Sequence, residues 1–201
     1  MVFVNDDARW AEQFPLLFAA SEVGYADCEL SFTTAAVPDD LVARLHLVAV
    51  TVHRQVIVCR SVQGWRFLPG GTREPGELLS GLAERELLEE AGARLTGPMR
   101  IFASHVADSR ASAPYRPHLP HPRSYWAYGV ASAEIVGPPS NPPDGEQIVE
   151  VLTLALPAAI AYLAEHDPLH AQVLSLATSM GLVEQTIHPQ PDPAASPRPP
   201  K

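Results

Sequence analysis

Between Glu77 and Gly92 the chain gathers five glutamates, at positions 77, 84, 86, 89 and 90, around one arginine, Arg85. On a helix of about 3.6 residues per turn, Glu86, Glu89 and Glu90 stand at i, i+3 and i+4 and share one face. Helix stability alone argues against that placement. The three fall in the last two turns before Gly92, where the helix dipole disfavours an anion by ~0.3–1 kcal/mol. Like charges four residues apart add a similar penalty. A divalent cation removes both, and clustered carboxylate oxygens suit a hard ion such as Mg2+ or Mn2+. The bland alternative is a solvated acidic face. The neighbours weigh against it: Pro69-Gly70-Gly71 brings backbone with little side chain just ahead of the helix, its carbonyls open to a metal and its amides to a phosphate. Glu77 and Arg85 lie about 80° apart around the helix, where an ion pair would brace the loop.

The elements that must hold this helix are readable from hydrophobic pattern. Glu77–Gly92 reads as one helix, with Leu78, Leu79, Leu82, Ala83, Leu87 and Ala91, no β-branched residue, and Gly92 as its stop. Leu47–Val52 and Val56–Arg60 read as a hairpin, and Trp65–Leu68 as a short strand. Pro98–Val106, Ser124–Ile135 and Val149–Leu154 read as further strands. Pro157 opens a helix to Glu165, and Asp167-Pro168 caps and starts a last helix that Gly181 ends. Upstream, residues 1–20 read as a helix capped by Asn5 or Asp6 and interrupted at Pro15, and Cys28–Thr34 as a strand. The long connection Ala107–Arg123 carries four prolines and is expected to border a substrate.

The stretch resembles the box of the Nudix hydrolase family: Gly71, five residues, Glu77, seven residues, Arg85-Glu86-Leu87, Leu88, Glu89-Glu90, Ala91, Gly92, then Ala93 in place of the usual larger aliphatic residue. The resemblance covers about residues 45–165. It implies an α/β fold, a Nudix-type α/β/α sandwich with a mixed sheet, here with an N-terminal extension and C-terminal helices. It implies Mg2+-dependent hydrolysis of the pyrophosphate bond in a nucleoside diphosphate linked to another group, with Mn2+ as a possible substitute. By the same resemblance, Glu86, Glu89, Glu90, Arg85 and Glu77 are the catalytic set, and Gly71, Glu86, Glu89 and Glu90 the metal site. Family members often add a carboxylate from a later loop, for which Glu146 is the candidate, with Asp144 and Glu150 behind it. Subfamily markers do not select a substrate. Asp108 stands where ADP-ribose hydrolases tend to have proline, and Arg110 where diadenosine-polyphosphate hydrolases tend to have tyrosine.

Arg110, Arg116 and Arg123 bring positive charge to the long connection and, with Tyr125, are candidate substrate contacts. His105, His118, His121, Tyr115 and Trp126 are weaker candidates, each set against ordinary packing or surface roles. The formal net charge of −9 disfavours a nucleic-acid partner. No apolar run reaches the ~18 residues of a membrane span. Two cysteines, Cys28 and Cys59, form no disulfide framework, and no secretory leader is apparent, so a cytoplasmic protein is expected. The division expected is an N-terminal extension at 1–44, a catalytic domain at 45–182 and a proline-rich disordered tail at 183–201. Trp10, Phe14 and Leu17 are a candidate homodimer contact. The competing functional class is a non-enzymatic Nudix-fold sensor of a nucleotide metabolite, which an intact set of Glu86, Glu89 and Glu90 disfavours.

Overall fold

The computed structural model describes residues 7–143 and 145–187. Asn5, Asp6 and Asp144 lie outside these residues, as does the tail beyond Ile187. Two short helices, α1 (Asp7–Gln13) and α2 (Pro15–Phe18), meet at Pro15 and lead into strands β1 (Ser21–Val23) and β2 (Cys28–Thr33). Strands β3 (Val42–Val50) and β4 (Gln55–Ser61) follow, joined by a tight turn in which Arg54 takes a positive φ of 60°. After β5 (Arg66–Phe67) and β6 (Gly70–Thr72) comes the acidic helix α3 (Leu79–Ala91). Strands β7 (Ala93–Leu95), β8 (Arg100–Ser109), β9 (Arg123–Ile135) and β10 (Ile148–Ala155) precede helices α4 (Leu156–Ala164), α5 (Pro168–Ser179) and α6 (Leu182–Ile187).

The main sheet runs β1-β2-β8-β9-β3-β4-β10. Strands β3 and β9 pair in parallel, whereas β2–β8, β8–β9 and β4–β10 are antiparallel, so the sheet is mixed. Its two faces follow from the two-residue period of a strand. Leu45, Leu47 and Ala49 of β3 and Ile57 and Cys59 of β4 pack against Leu82, Ala83 and Leu87 of α3. Val48, Val50, Val56 and Val58 face the other way, onto Leu163 of α4 and Leu174 and Leu176 of α5. The result is the helix-sheet-helix sandwich that the motif implied. Leu82 and Leu87 are fully buried, so truncating either to Ala costs ~2–5 kcal/mol. Asp167 caps α5 as expected, accepting from the His170 N–H at 2.9 Å.

Two expectations need correction. The N-terminal segment adds a strand to the sheet, β2 pairing along β8 from Cys28↔Ser109 to Thr33↔Ser104. Trp10, Phe14 and Leu17 are buried in the chain's own core beside α5, which removes them as a dimer contact. Nor does the packed chain stop at Gly181. Helix α6 follows it, and Val183, placed by the sequence reading in the tail, is buried with Leu182. Among the described residues no helix is long and apolar enough to cross a membrane.

Candidate active site

The glycine pair lies in β6, the strand that precedes α3, and both glycines sit in close contacts. Gly70 and Gly71 pair with His46 and Leu45 of β3. A Cβ at Gly70 would fall 2.1 Å from the Leu45 carbonyl oxygen, and one at Gly71 would fall 2.3 Å from Glu86 Oε1. At Gly70 only bare backbone fits against β3, whereas at Gly71 the obstacle is the movable end of the Glu86 side chain. Gly92 ends the helix in the left-handed region at φ 58°, where a Cβ would strike the Gly137 carbonyl oxygen at 2.1 Å.

Arg85 organises the acids. Its guanidinium donates to both Glu77 oxygens, at 2.9 and 3.1 Å, to Glu86 Oε1 at 2.8 Å, to Glu89 Oε2 at 3.2 Å and to the Thr72 carbonyl at 3.1 Å. Glu77 also accepts from the Glu74 N–H at 2.9 Å, which closes the loop. Glu90 turns inward, and its Oε2 accepts from the Gly70 N–H at 2.8 Å. Glu84 points away, its carboxylate accepting from the Leu95 N–H at 3.2 Å.

Burial sets the charge states. It pushes the Glu90 carboxyl up to about 8, against the Gly70 N–H; Glu86, Glu146 and Glu89 add to the rise. Burial also raises Glu86, opposed by the Arg85 charge and hydrogen bond. Burial works against Glu77 as well, but its Arg85 and Glu74 hydrogen bonds hold it below the ordinary carboxylate range. Arg85 is raised, first by its hydrogen bond to Glu77.

Glu86, Glu89, Glu90 and Glu146 line one cavity of about 870 Å3, together with Gly70 and Gly71. Among the described residues no three His, Cys, Asp or Glu side chains already converge as a metal requires. The geometry gives the reason: Arg85 holds Glu86 and Glu89, and Gly70 holds Glu90. The residues nevertheless fit a cation. Glu146 Oε1 is buried with no hydrogen-bond partner, and buried carboxyls with raised pKa are groups that positive charge would ionise. All-oxygen donors suit Mg2+ or Mn2+.

Other expected contacts are not in this cavity. Arg110 pairs with Glu22 at 2.9 Å, and Arg123 forms a two-pronged pair with Asp108 at 2.7 and 2.8 Å. Tyr125 is half-buried against the core on the α3 side. Only Arg116 of that set lines it. Glu150 is taken by Arg60 and the Tyr162 hydroxyl. His105 is buried against Tyr128, with Nδ1 3.1 Å from the hydroxyl oxygen. His118 and His121 bond the Arg73 and Ala111 carbonyls. The long connection is itself shorter than read, since β8 runs to Ser109 and β9 starts at Arg123.

The sequence reading missed several cavity residues: Arg44 and His46 from β3, Trp65 and Arg66 at the start of β5, and His166, Asp167 and His170 around the start of α5. The His46 and His170 rings lie 4.7 Å apart, and burial holds both below the usual histidine range. A lone histidine in an apolar strand carries no spacing signal. The capping Asp167 was legible, but not its cavity.

The NUDIX domain profile matches residues 42–176. Among solved structures, a pyrophosphohydrolase of Bacillus subtilis is similar, at 13% identity and a TM-score of 0.49, covering 75% of this chain and 99% of the other. A NUDIX hydrolase from Nitrosomonas europaea shares 18% identity at a TM-score of 0.46, covering 69% and 88%. A UDP-X diphosphatase shares 17% at 0.43, covering 76% and 65%. No curated protein sequence matches the chain. The domain match takes in well over half of the chain, including the whole of the acidic helix, and on that ground the protein belongs to the Nudix hydrolase family.

Proposed function

We propose that this protein hydrolyses the pyrophosphate bond of a nucleoside diphosphate linked to another group, using Mg2+, with Mn2+ as a substitute. One observation carries the reading: Glu86, Glu89 and Glu90 from α3 and Glu146 from the loop before β10 share a cavity with the Gly70–Gly71 backbone and the cations Arg44 and Arg116. Acids at one side and arginines at another suit a metal-bound diphosphate. Glu86, Glu89, Glu90, Glu146 and the Gly71 carbonyl would hold the cation. When bound, it neutralises phosphate charge and makes a coordinated water a better nucleophile. Arg85 and Glu77 position the helix against the loop and touch no substrate in this account. Arg85 also restrains Glu86 and Glu89 through hydrogen bonds that a metal ligand would have to exchange. Arg44 and Arg116 bind phosphate oxygens.

The test is a panel of nucleoside diphosphate derivatives assayed with Mg2+, with Mn2+ and with neither. The expected result is cleavage between the phosphorus atoms of at least one member, with an absolute need for metal. Tight binding of a member without cleavage of any would overturn the hydrolase reading in favour of a sensor.

A further inference from the structure

A second cavity, of about 230 Å3, adjoins the acidic one, and Arg44, Thr72 and Arg116 line both. Its character differs. No Asp or Glu lines it, and its walls include Tyr25, Tyr115 and Trp126. The floor is the sheet: Cys28 of β2, Ala107 of β8 and Ser124 of β9 stand on neighbouring strands, with Cys28 paired to Ser109 and Ala107 to Ser124. The rim is aromatic. Tyr25 and Tyr115 are largely exposed and meet edge to face at 5.5 Å between ring centres.

The cations at the junction are loosely held. Arg44 lies over the Trp126 ring at 4.9 Å and donates from Nη1 to the Tyr25 hydroxyl at 2.8 Å, but its Nε is buried with no partner. Arg116 reaches Glu74 at only 4.0 Å. Arg110 and Arg123, flanking the same loop, are fully committed to carboxylates. The two arginines shared by the cavities are therefore the ones left to meet an anion. A phosphate there has its metal-bound neighbour on the acidic side and its organic group on the aromatic side.

We propose that the smaller cavity holds the nucleobase of the substrate, between the Arg44–Trp126 stack and the Tyr25–Tyr115 pair; this rests on the hydrolase reading above. A flat π-faced ring gains from stacking and from the adjoining cation. A sugar would find no carboxylate among the lining residues to accept from its hydroxyls. Tyr25 and Cys28 precede residue 42, where the NUDIX match begins. Base selection is thus built partly from the N-terminal segment, ahead of the matched domain.

The test is calorimetric binding of the four nucleoside 5′-monophosphates and of ribose 5-phosphate, all without metal, to the full-length protein and to Tyr115→Ala and Ser124→Leu. Tyr115 is a largely exposed loop residue, so its truncation leaves a folded protein to measure should Ser124→Leu not fold. The expected result is that one nucleotide binds better than ribose 5-phosphate. That preference falls about tenfold when the stacking ring is removed or the cavity filled. A wild type with no preference, or a folded Tyr115→Ala that keeps it in full, overturns the proposal. Hydrolysis of the matching nucleoside diphosphate derivative with Mg2+ is assayed alongside. Preserved base preference with no cleavage sinks the hydrolase reading and supports the base site. Cleavage with an unchanged preference in both folded variants does the reverse.

Discussion

Arg85 donates to both carboxylate oxygens of Glu77, at 2.9 and 3.1 Å, across the turn that carries the chain from β6 into α3. A planar guanidinium against a carboxylate fixes orientation as well as distance. The remaining bonds to Glu86, Glu89 and the Thr72 carbonyl make the same residue a brace for the loop and a counter-charge for the acids.

Arg85→Ala therefore leaves partly buried carboxylates without their cation and is expected to destabilise the protein by ~2 kcal/mol. Arg85→Lys restores charge without the fork and is expected to recover only part of that. Urea unfolding of the three proteins checks this. Equal stability for wild type and Arg85→Ala would show that the brace is ornamental.

Neighbouring glycines should fail differently. At Gly70 an added Cβ strikes the Leu45 backbone, and φ is 153°. Gly70→Ala is expected to cost ~2–3 kcal/mol, measurable by thermal melting. At Gly71 the obstacle is the end of the Glu86 side chain. Gly71→Ala is expected to keep most of its stability and lose metal-dependent activity, because Glu86 must move. Similar melting losses for the two would contradict this.

The raised Glu90 carboxyl gives a pH signature in metal-free protein. Its folded value of about 8 lies above the ordinary glutamate value of 4.5. The folded state thus holds the proton more tightly, and this group's contribution is full below about pH 4.5 and lost as pH rises through 8. Glu90→Gln keeps an acceptor for the Gly70 N–H and removes the titration. It is expected to be more stable than wild type at pH 9, by at least ~1 kcal/mol, and nearly equal at pH 5. A stability difference that does not change with pH would be evidence against a buried, proton-holding Glu90.

His105 gives the opposite slope. Burial, with a smaller contribution from His170, lowers it to about 4 from 6.5. Its contribution is full above about pH 6.5 and lost as pH falls through 4, because the unfolded chain takes the proton first. His105→Phe is expected to lose less stability than wild type between pH 7 and pH 5 in chemical denaturation. Parallel losses would contradict a neutral buried His105.

How much of this was visible in sequence depends on whether a signal is local. The acidic helix was, because Glu86, Glu89 and Glu90 are related by helical spacing and Arg85 reaches Glu77 within the same segment. So was the β3–β4 hairpin, from two runs of branched residues on either side of a turn; which side chains face which helix layer was not, because both strands are apolar almost throughout. The fate of Trp10, Phe14 and Leu17 was not: their spacing marks an apolar helix face but not what covers it, and α5 comes more than 150 residues later. Arg110 and Arg123 resembled free cations because Glu22 is remote in sequence and Asp108 is brought opposite Arg123 only by the β8–β9 register. Arg44 and His46 enter the site through β3 pairing with β6, which no motif states.

The central claim is that the α3 carboxylates bind the cation that hydrolysis needs. Glu89 tests it most directly, since its side chain is the most exposed of the three and its replacement is expected to leave the fold intact. The measurement is the melting temperature with and without Mg2+, with turnover of the best panel substrate, for wild type and Glu89→Gln. The account predicts that Mg2+ raises the wild-type melting temperature. In Glu89→Gln that rise is largely lost, and turnover falls by about two orders of magnitude or more. A Glu89→Gln protein with the same metal-induced rise and full turnover would contradict the account.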